Sequence, residues 1–313
     1  MAITTLTTAA SILKTVYTPD RLADLAFDNN TLIQLTPDPV VGGGKPGLFP
    51  IIQSRGGSSY NWTVRTSRTA AASYSEGQAA PAPGNNSYST ASLTYQYFWR
   101  GVEISGHAID ALRDEGAVIE AIDREVVDAA KAIGDAINTT FMGSAHLELA
   151  VDQAGTYAGI NRSSASAWGS WENALSGALS KAALRDMVEG VMDNDRGASH
   201  GDLVFLMPVN QLSNYFALGG TTSTVTTTTG GGNLDLGFVS GTFEGIPIVA
   251  VPDMTDTIVL LVHRPSCYWV MHRPLTIQPK ATAGDSSSYL LSCAMQLVVE
   301  RPNLCAKQTA VTA

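Results

Sequence analysis

The chain has 313 residues, 44% of them apolar and only 15% charged, with a formal net charge of −9 and a sequence pI near 5.0. The apolar share excludes a chain disordered throughout, and the length allows one large domain or two ordinary ones. The acidic balance argues against the basic face of a nucleic-acid-binding domain, and the shortage of charge fits a protein that buries much of its exterior against other copies.

Residues 1–41 read as an arm. Ala9 to Lys14 is compatible with helix, Thr18-Pro19-Asp20 gives a turn or cap, and 21–27 is a short amphipathic helix with Leu22, Leu25 and Ala26 on one face. Thr36-Pro37-Asp38-Pro39 is extended and Gly42-Gly43-Gly44 is a breaker. The N-terminus lacks the basic and apolar regions of a signal peptide, and no apolar stretch approaches the ~20 residues of a membrane span. A cytosol-like compartment and no membrane contact are the expectations.

Residues 48–53 read as a strand. A long polar excursion rich in Ser, Thr, Gly, Ala and Pro follows at 54–92 and ends in the apolar run 93–104. Tyr60, Trp62 and Val64 alternate with polar residues, as do Leu93, Tyr95, Tyr97 and Trp99, which is the period of half-buried strands. Pro81 and Pro83 block regular structure in the tip, 67–87. The segment is predicted to be a long two-stranded hairpin. A lone ribbon is marginal in water, so it must lie on something, and a neighbouring subunit is the expected support.

A helix is predicted from about 114 to 142, opened by acidic residues in 110–115 that suit the positive end of the dipole. Ile119, Ile122, Val126, Ala129, Ala130, Ile133, Ile137 and Phe141 recur at three- and four-residue steps. The helix would run roughly 40 Å at 1.5 Å per residue. Residues 152–177 read as loop. A second amphipathic helix, 180–194, turns Leu184, Met187, Val188, Val191 and Met192 inward, and 203–207 is a buried strand. Pro208 opens a helix over 209–218, and the Thr/Gly stretch 219–232 is a loop. Strands are predicted at 243–251, 257–263, 267–272, 275–278 and 289–300, with a last apolar segment at 305–311. The order is α+β.

Chemical motifs mostly fail on inspection. Gly197-Ala198-Ser199-His200-Gly201 matches the nucleophile-elbow pattern, but a helix precedes it and a strand follows, the reverse of what presents such a serine. Gly42-Gly43-Gly44-Lys45 lacks the spacing of a phosphate loop, with Pro39 and Pro46 at the decisive places. The five histidines form no i, i+4 pair; His263 and His272, on or beside neighbouring strands, read as structural. Cys267, Cys293 and Cys305 are not a disulfide framework and read as small hydrophobes, a Cys267–Cys293 bridge being the alternative. Asp123, Glu125 and Asp128 spread round the helix as a solvated face. Tyr95, Tyr97, Phe98 and Trp99 read as strand packing, since base stacking would need basic neighbours. No catalytic, cofactor-binding or metal-binding residue is assigned, and the chain is not read as an enzyme.

Several short segments, in order, resemble one family. Ala9-Ala10-Ser11-Ile12-Leu13-Lys14 with Phe27-Asp28-Asn29-Asn30 is similar to an N-terminal arm. Gly42-Gly43-Gly44-Lys45 with Phe49-Pro50-Ile51 is similar to the start of an E-loop. Gly116-Ala117-Val118-Ile119-Glu120-Ala121 and Glu125-Val126-Val127-Asp128-Ala129 resemble a spine helix. Phe243-Glu244-Gly245-Ile246-Pro247-Ile248-Val249 resembles an A-domain strand, and Leu297-Val298-Val299-Glu300-Arg301-Pro302-Asn303 a closing P-domain segment. Together they resemble the major capsid protein of tailed bacteriophages (Caudoviricetes) with the HK97-type fold.

The resemblance implies an α+β capsid fold divided into an N-terminal arm (1–47), an E-loop (48–104), a spine helix and P-domain (105–200), a mostly A-domain region (201–280) and closing P-domain strands (281–313). It implies self-assembly into hexamers and pentamers of an icosahedral shell enclosing double-stranded DNA, in a virion assembled in the host cytoplasm. A separate scaffold, a portal and decoration proteins would be the partners. The E-loop residues expected to touch a neighbouring subunit are Tyr60, Trp62, Tyr74, Tyr88 and Tyr95. Some relatives cross-link their shells between Lys and Asn, but this chain has no lysine between Lys45 and Lys131, so its E-loop cannot supply one. An encapsulin-type compartment shares the fold and is the nearest alternative; a cytosolic serine hydrolase using Ser199 is the alternative from another class.

Overall fold

The computed structural model describes residues 49–54, 56–67, 69, 73, 76, 84–107, 117–143, 146–194, 198–218, 241–280 and 286–312. The predicted arm, the Gly42–44 breaker, most of the hairpin tip, the helix start at 110–115 and the 219–232 loop lie outside the described residues.

Among the described residues the strands are β1 (Ile51–Gln53), β2 (Ser59–Ser67), β3 (Ser87–Thr94), β4 (Gln96–Ser105), β5 (Thr156–Tyr157), β6 (Ile160–Asn161), β7 (Trp171–Ala178), β8 (Leu203–Met207), β9 (Gly241–Phe243), β10 (Ile246–Ala250), β11 (Val259–His263), β12 (Cys267–Lys280), β13 (Ser286–Val299) and β14 (Ala306–Thr312). Among the described residues the α-helices of four residues or more are α1 (Ala117–Met142), α2 (Leu147–Ala150), α3 (Lys181–Asn194) and α4 (Val209–Leu218). Among the described residues the sheet orders are β1-β12-β13-β4 and β7-β14-β11-β8-β10-β9, with β2-β3 and β5-β6 as separate pairs. The chain divides into two compact units, one drawn from 96–139 and 271–295, the other from 48–95, 140–270 and 296–313.

In the first unit β4 runs antiparallel to β13, from Ser105 opposite Ser286 to Gln96 opposite Met295. From Val126 to Ile137 the predicted stripe of α1 does what its spacing requires, while the side chains of Ile119 and Ile122 lie outside the described residues. Ala129 and Ile133, with Val126, Ala130 and Ile137, pack on Val102, Ile104, Leu291 and Cys293, while Glu125, Asp128 and Asp135 stay exposed. Each large apolar side chain so buried contributes roughly 1.5–3 kcal/mol before ordering costs.

The second unit is built round β8, whose five residues are all buried. β11 flanks it antiparallel, with Leu261 opposite Phe205, and β10 flanks it parallel, with Ile248 opposite Phe205. A strand covered on both faces needs no polar alternation, which is why Leu203-Val204-Phe205-Leu206-Met207 is continuously apolar. Helix α3 lays Leu184, Met187, Val188 and Val191 on this sheet. Its first turn is capped by the Ser180 hydroxyl, which accepts from the Ala183 N–H at 3.1 Å. Gly190 permits the close approach of α3 to β7, since a Cβ there would fall 2.4 Å from the Trp171 ring.

Three expectations are corrected. The single strand 243–251 is a hairpin, β9 and β10, joined by Glu244 and Gly245 with φ of 51° and 85°. Positive φ at both central residues is the twist-matched two-residue turn, and Gly at the second position eases it. The separate strands 267–272 and 275–278 are one strand, β12, which passes through Pro274 and Pro279. Partner β1 has only three residues, so it spans a short part of β12. The loop read at 152–177 contains β5 and β6, turned by Ala158 and Gly159 with positive φ, and most of β7. Strand β7 pairs parallel with β14, a partner 135 positions away from Trp171 at Ala306.

Candidate functional site

Strands β2 and β3 form the predicted ribbon, with Trp62 opposite Ala91 and Arg65 opposite Tyr88. Alternation divides it into two faces. Trp62, Val64 and Ala91 are buried, and this face lies on the ribbon's own chain. The Trp62 ring stands 6.5 Å from that of Tyr157, and the Tyr60 ring meets Tyr268 edge-on at 6.1 Å, their hydroxyls 3.3 Å apart. The Ser92 N–H donates to the Ala158 carbonyl at 2.9 Å, so the β5–β6 turn touches β3. Tyr95 fixes the root, with its hydroxyl 2.7 Å from Ser54 Oγ and its N–H donating to the Ser58 carbonyl. The apolar face of the ribbon root is thus covered from within the chain, where a neighbouring subunit had been expected.

The five aromatic residues predicted to touch a neighbour therefore separate. Trp62 and Tyr95 are 9% and 3% exposed, and Tyr60 is half-buried. Tyr88 is 62% exposed, on the opposite face from Trp62. Tyr74 lies outside the described residues. Strand β4 adds surface that sequence reasoning missed. Tyr97 and Trp99 are 58% and 66% exposed, opposite Ala294 and Ser292, while Phe98, Val102 and Ile104 face the α1 side. The available signal was that β4 carries large apolar residues on both faces, the pattern of a strand covered twice.

The polar chemistry of the second unit is structural. Arg162 is 1% exposed, and its guanidinium donates to the carbonyls of Leu149 and Ala150 at 2.9 Å, of Ala154 at 3.3 Å and of Asp152. It also lies 5.3 Å from the Tyr157 ring centroid. These carbonyls end α2 and the turn after it, groups with no helical partner of their own. The buried Glu148 carboxylate accepts from the Thr255 N–H and hydroxyl, both at 3.0 Å. Asp152 and Glu172 share a side-chain hydrogen bond beside Lys307, whose Nζ is 3.8 Å from Asp152. Burial and that hydrogen bond raise the Glu172 carboxyl above its ordinary range. Burial works in the same sense on Asp152, but the bond from Glu172 and the charges of Lys307 and Arg162 hold it below its ordinary value.

No arrangement for catalysis emerges from the predicted motifs. Ser199 follows α3 and precedes the 3-10 turn His200–Asp202 and β8, so the strand-then-helix order of a nucleophile elbow is reversed. Buried His263 is 2.8 Å through Nδ1 from Ser266 Oγ, a bond within one turn. Among the described residues no three His, Cys, Asp or Glu side chains converge as metal ligands, and no helix is long and apolar enough to cross a membrane. An open cavity of about 490 Å³ beside α3 is lined by Arg185, Glu189, Asp193, His200 and Glu244. Two of its charged groups, Arg185 and Glu244, form an ion pair with one another. All three thiols are free and buried.

The family model described as SU10 major capsid protein matches residues 49–312. No curated protein matches the chain. Among solved structures, the capsid asymmetric unit of Cyanophage A-1(L) is 18% identical with a TM-score of 0.65, over 82% of this chain and 89% of that one. The mature capsid of bacteriophage PhiM1 is 12% identical with a TM-score of 0.57, over 84% and 85%. The SrpI encapsulin of Synechococcus elongatus PCC 7942 is 11% identical with a TM-score of 0.58, over 84% and 85%. At such identities the likeness carries the fold, the HK97-type α+β fold of these shells.

Proposed function

The chain belongs to the SU10 major capsid protein family, and from that premise we propose how its surfaces build a shell. It is a structural protein of the virion, and its work is association of many copies into an icosahedral capsid. The family match over 49–312 is the observation that carries this reading, and it favours a phage head over an encapsulin compartment, whose likeness rests on fold alone.

The finer reading is ours. Subunits gather as hexamers and pentamers round double-stranded DNA, with a separate scaffold, a portal and decoration proteins, and assemble in the host cytoplasm. An acidic subunit avoids sticking to packaged DNA, since phosphate binding needs cationic side chains. Residues 1–47 act as the arm, 48–104 as the E-loop, 105–200 as spine helix and P-domain, 201–280 as mostly A-domain and 281–313 as closing strands. The pairing of β7 and β14 with β11 and β8 supports extending the A-domain to those two strands. Of the five aromatic residues Tyr60, Trp62, Tyr74, Tyr88 and Tyr95, Tyr88 has the surface to reach a neighbour, while Trp62 and Tyr95 set the ribbon's angle from within.

Weak contacts repeated round closed rings become collectively strong, so removing one per subunit is enough to prevent closure. Replacing 68–86 with Asn-Gly joins Ser67 to Ser87 through a hairpin turn and removes the tip. The expected product is a folded subunit that forms no closed shells by negative-stain electron microscopy. Intact shells from this variant would overturn the proposal.

A further inference from the structure

Lys307, Asp152 and Glu172 meet where β14, the turn after α2 and β7 come together, all within the second unit. Lys307 is 8% exposed and stands opposite Glu172 in the parallel pairing of β14 with β7. Its Nζ donates to the Glu148 carbonyl at 3.2 Å and lies 3.8 Å from Asp152 Oδ2. The Glu172 carboxyl reaches the same spot, since its Oε2 accepts from the Gln153 N–H at 3.2 Å, one residue beyond Asp152. The Ala154 N–H donates to Asp152 Oδ1 at 3.4 Å. An ion pair needs one carboxylate. Here a second carboxyl stands against the first, and burial and its bond to Asp152 make it hold its proton above the ordinary glutamate range.

We propose that Lys307 and Asp152 are a self-condensing pair, a modification site at which amine and carboxyl join as an isopeptide bond within one subunit, with Glu172 as proton relay. The amine passes one proton to the Asp152 carboxylate and attacks its carbon. Glu172 gives its proton to Oδ2, which leaves as water, and takes back the one released by the nitrogen. One C–O bond breaks and one C–N bond forms. An ammonium and a carboxylate become an amide and a water, the charge is unchanged and Glu172 is restored. No oxidant, cofactor or outside reagent is needed, so burial of the pair is no obstacle. The Ala154 N–H steadies Oδ1, the oxygen that stays as the amide carbonyl. In bulk water such a pair stays ionised, but well-oriented groups held in contact act at effective concentrations of about 10⁵–10⁸ M. Freshly folded subunits carry the ion pair, and the bond forms slowly from it. The bond would tie the last strand to the turn after α2 across a loop of roughly 155 residues, and neither reductant nor denaturant would open it. Both partners belong to one chain and lie outside the E-loop, so the bond differs from a link between subunits. The inference needs only the subunit fold and stands apart from the assembly reading.

The test is the intact mass of the full chain, as subunits or as shells, kept in native buffer for several days at physiological temperature and then unfolded with reductant. More than half of the chains should become lighter by one water. They should run faster than fresh chains on a denaturing gel, because a closed loop is more compact. Proteolytic mapping should find a branched peptide that joins Lys307 to Asp152. Glu172→Gln keeps an acceptor for the Gln153 N–H but cannot relay the proton, and should slow the loss roughly 100-fold or more while the far-ultraviolet circular dichroism stays that of the parent. A parent chain that keeps its full mass would overturn the proposal. So would a lost water that maps to a hydroxylamine-sensitive succinimide, a water lost equally from Lys307→Arg, or an undiminished rate in Glu172→Gln.

Discussion

Trp62→Ala separates the ribbon's inner anchoring from its outer contacts. The indole is 9% exposed, stands 5.9 Å from the Tyr60 ring and 6.5 Å from the Tyr157 ring, and faces Ala91 across the strands. Removing a buried Trp side chain costs roughly 3–5 kcal/mol, from lost transfer energy and the cavity left behind. Trp62 lies outside the cluster packed on β8, so the loss should fall on docking of the ribbon and not on the whole second unit. Local opening free energies are read by amide hydrogen exchange. In dissociated subunits the β2 and β3 amides should exchange roughly 100- to 3000-fold faster, while β8 amides keep their protection. A ribbon that leaves its own chain also presents its outer face at the wrong angle, so shell yield should fall steeply. Unchanged exchange in β2 and β3 would refute the anchoring argument, as would an equal loss of protection in β8.

Tyr88→Ala should do the reverse. The side chain is 62% exposed, so subunit stability should change by less than about 0.5 kcal/mol in urea titrations, while closed particles become fewer by electron microscopy. Arg162→Met keeps much of the volume but leaves carbonyls at Leu149, Ala150, Asp152 and Ala154 without their donor, and should cost about 3–5 kcal/mol in the same titrations. The Asp152–Glu172 pair gives opposite pH slopes. The raised Glu172 carboxyl contributes stability that is complete below its ordinary 4.5 and is lost as pH rises through its folded value. The lowered Asp152 contributes stability present above its ordinary 3.8 and lost as pH falls through its folded value. Glu172→Gln should therefore flatten the alkaline side of the melting-temperature profile above pH 4.5 and leave the acid side, and an unchanged alkaline slope would count against the shared proton.

What the amino-acid order settles by itself is local. The described part of the α1 stripe, the inner face of α3, the whole of α4 and the unbroken apolar run of β8 follow from spacing, because a helix or a strand repeats its own geometry every few residues. The two strands of the ribbon and the lack of lysine between Lys45 and Lys131 are equally plain in the chain. What stayed hidden depends on partners remote in sequence. Alternation showed that Trp62 faces inward, but not that Tyr157 of the same chain would cover it. Composition left 171–177 as loop, because β7 becomes a strand only when β14 arrives beside it. The three cysteines read as small hydrophobes, and the fold leaves all three free and buried. Periodicity fixes which side of an element is apolar, and only the tertiary structure decides what meets that side, since the meeting residues are chosen by the path of the whole chain.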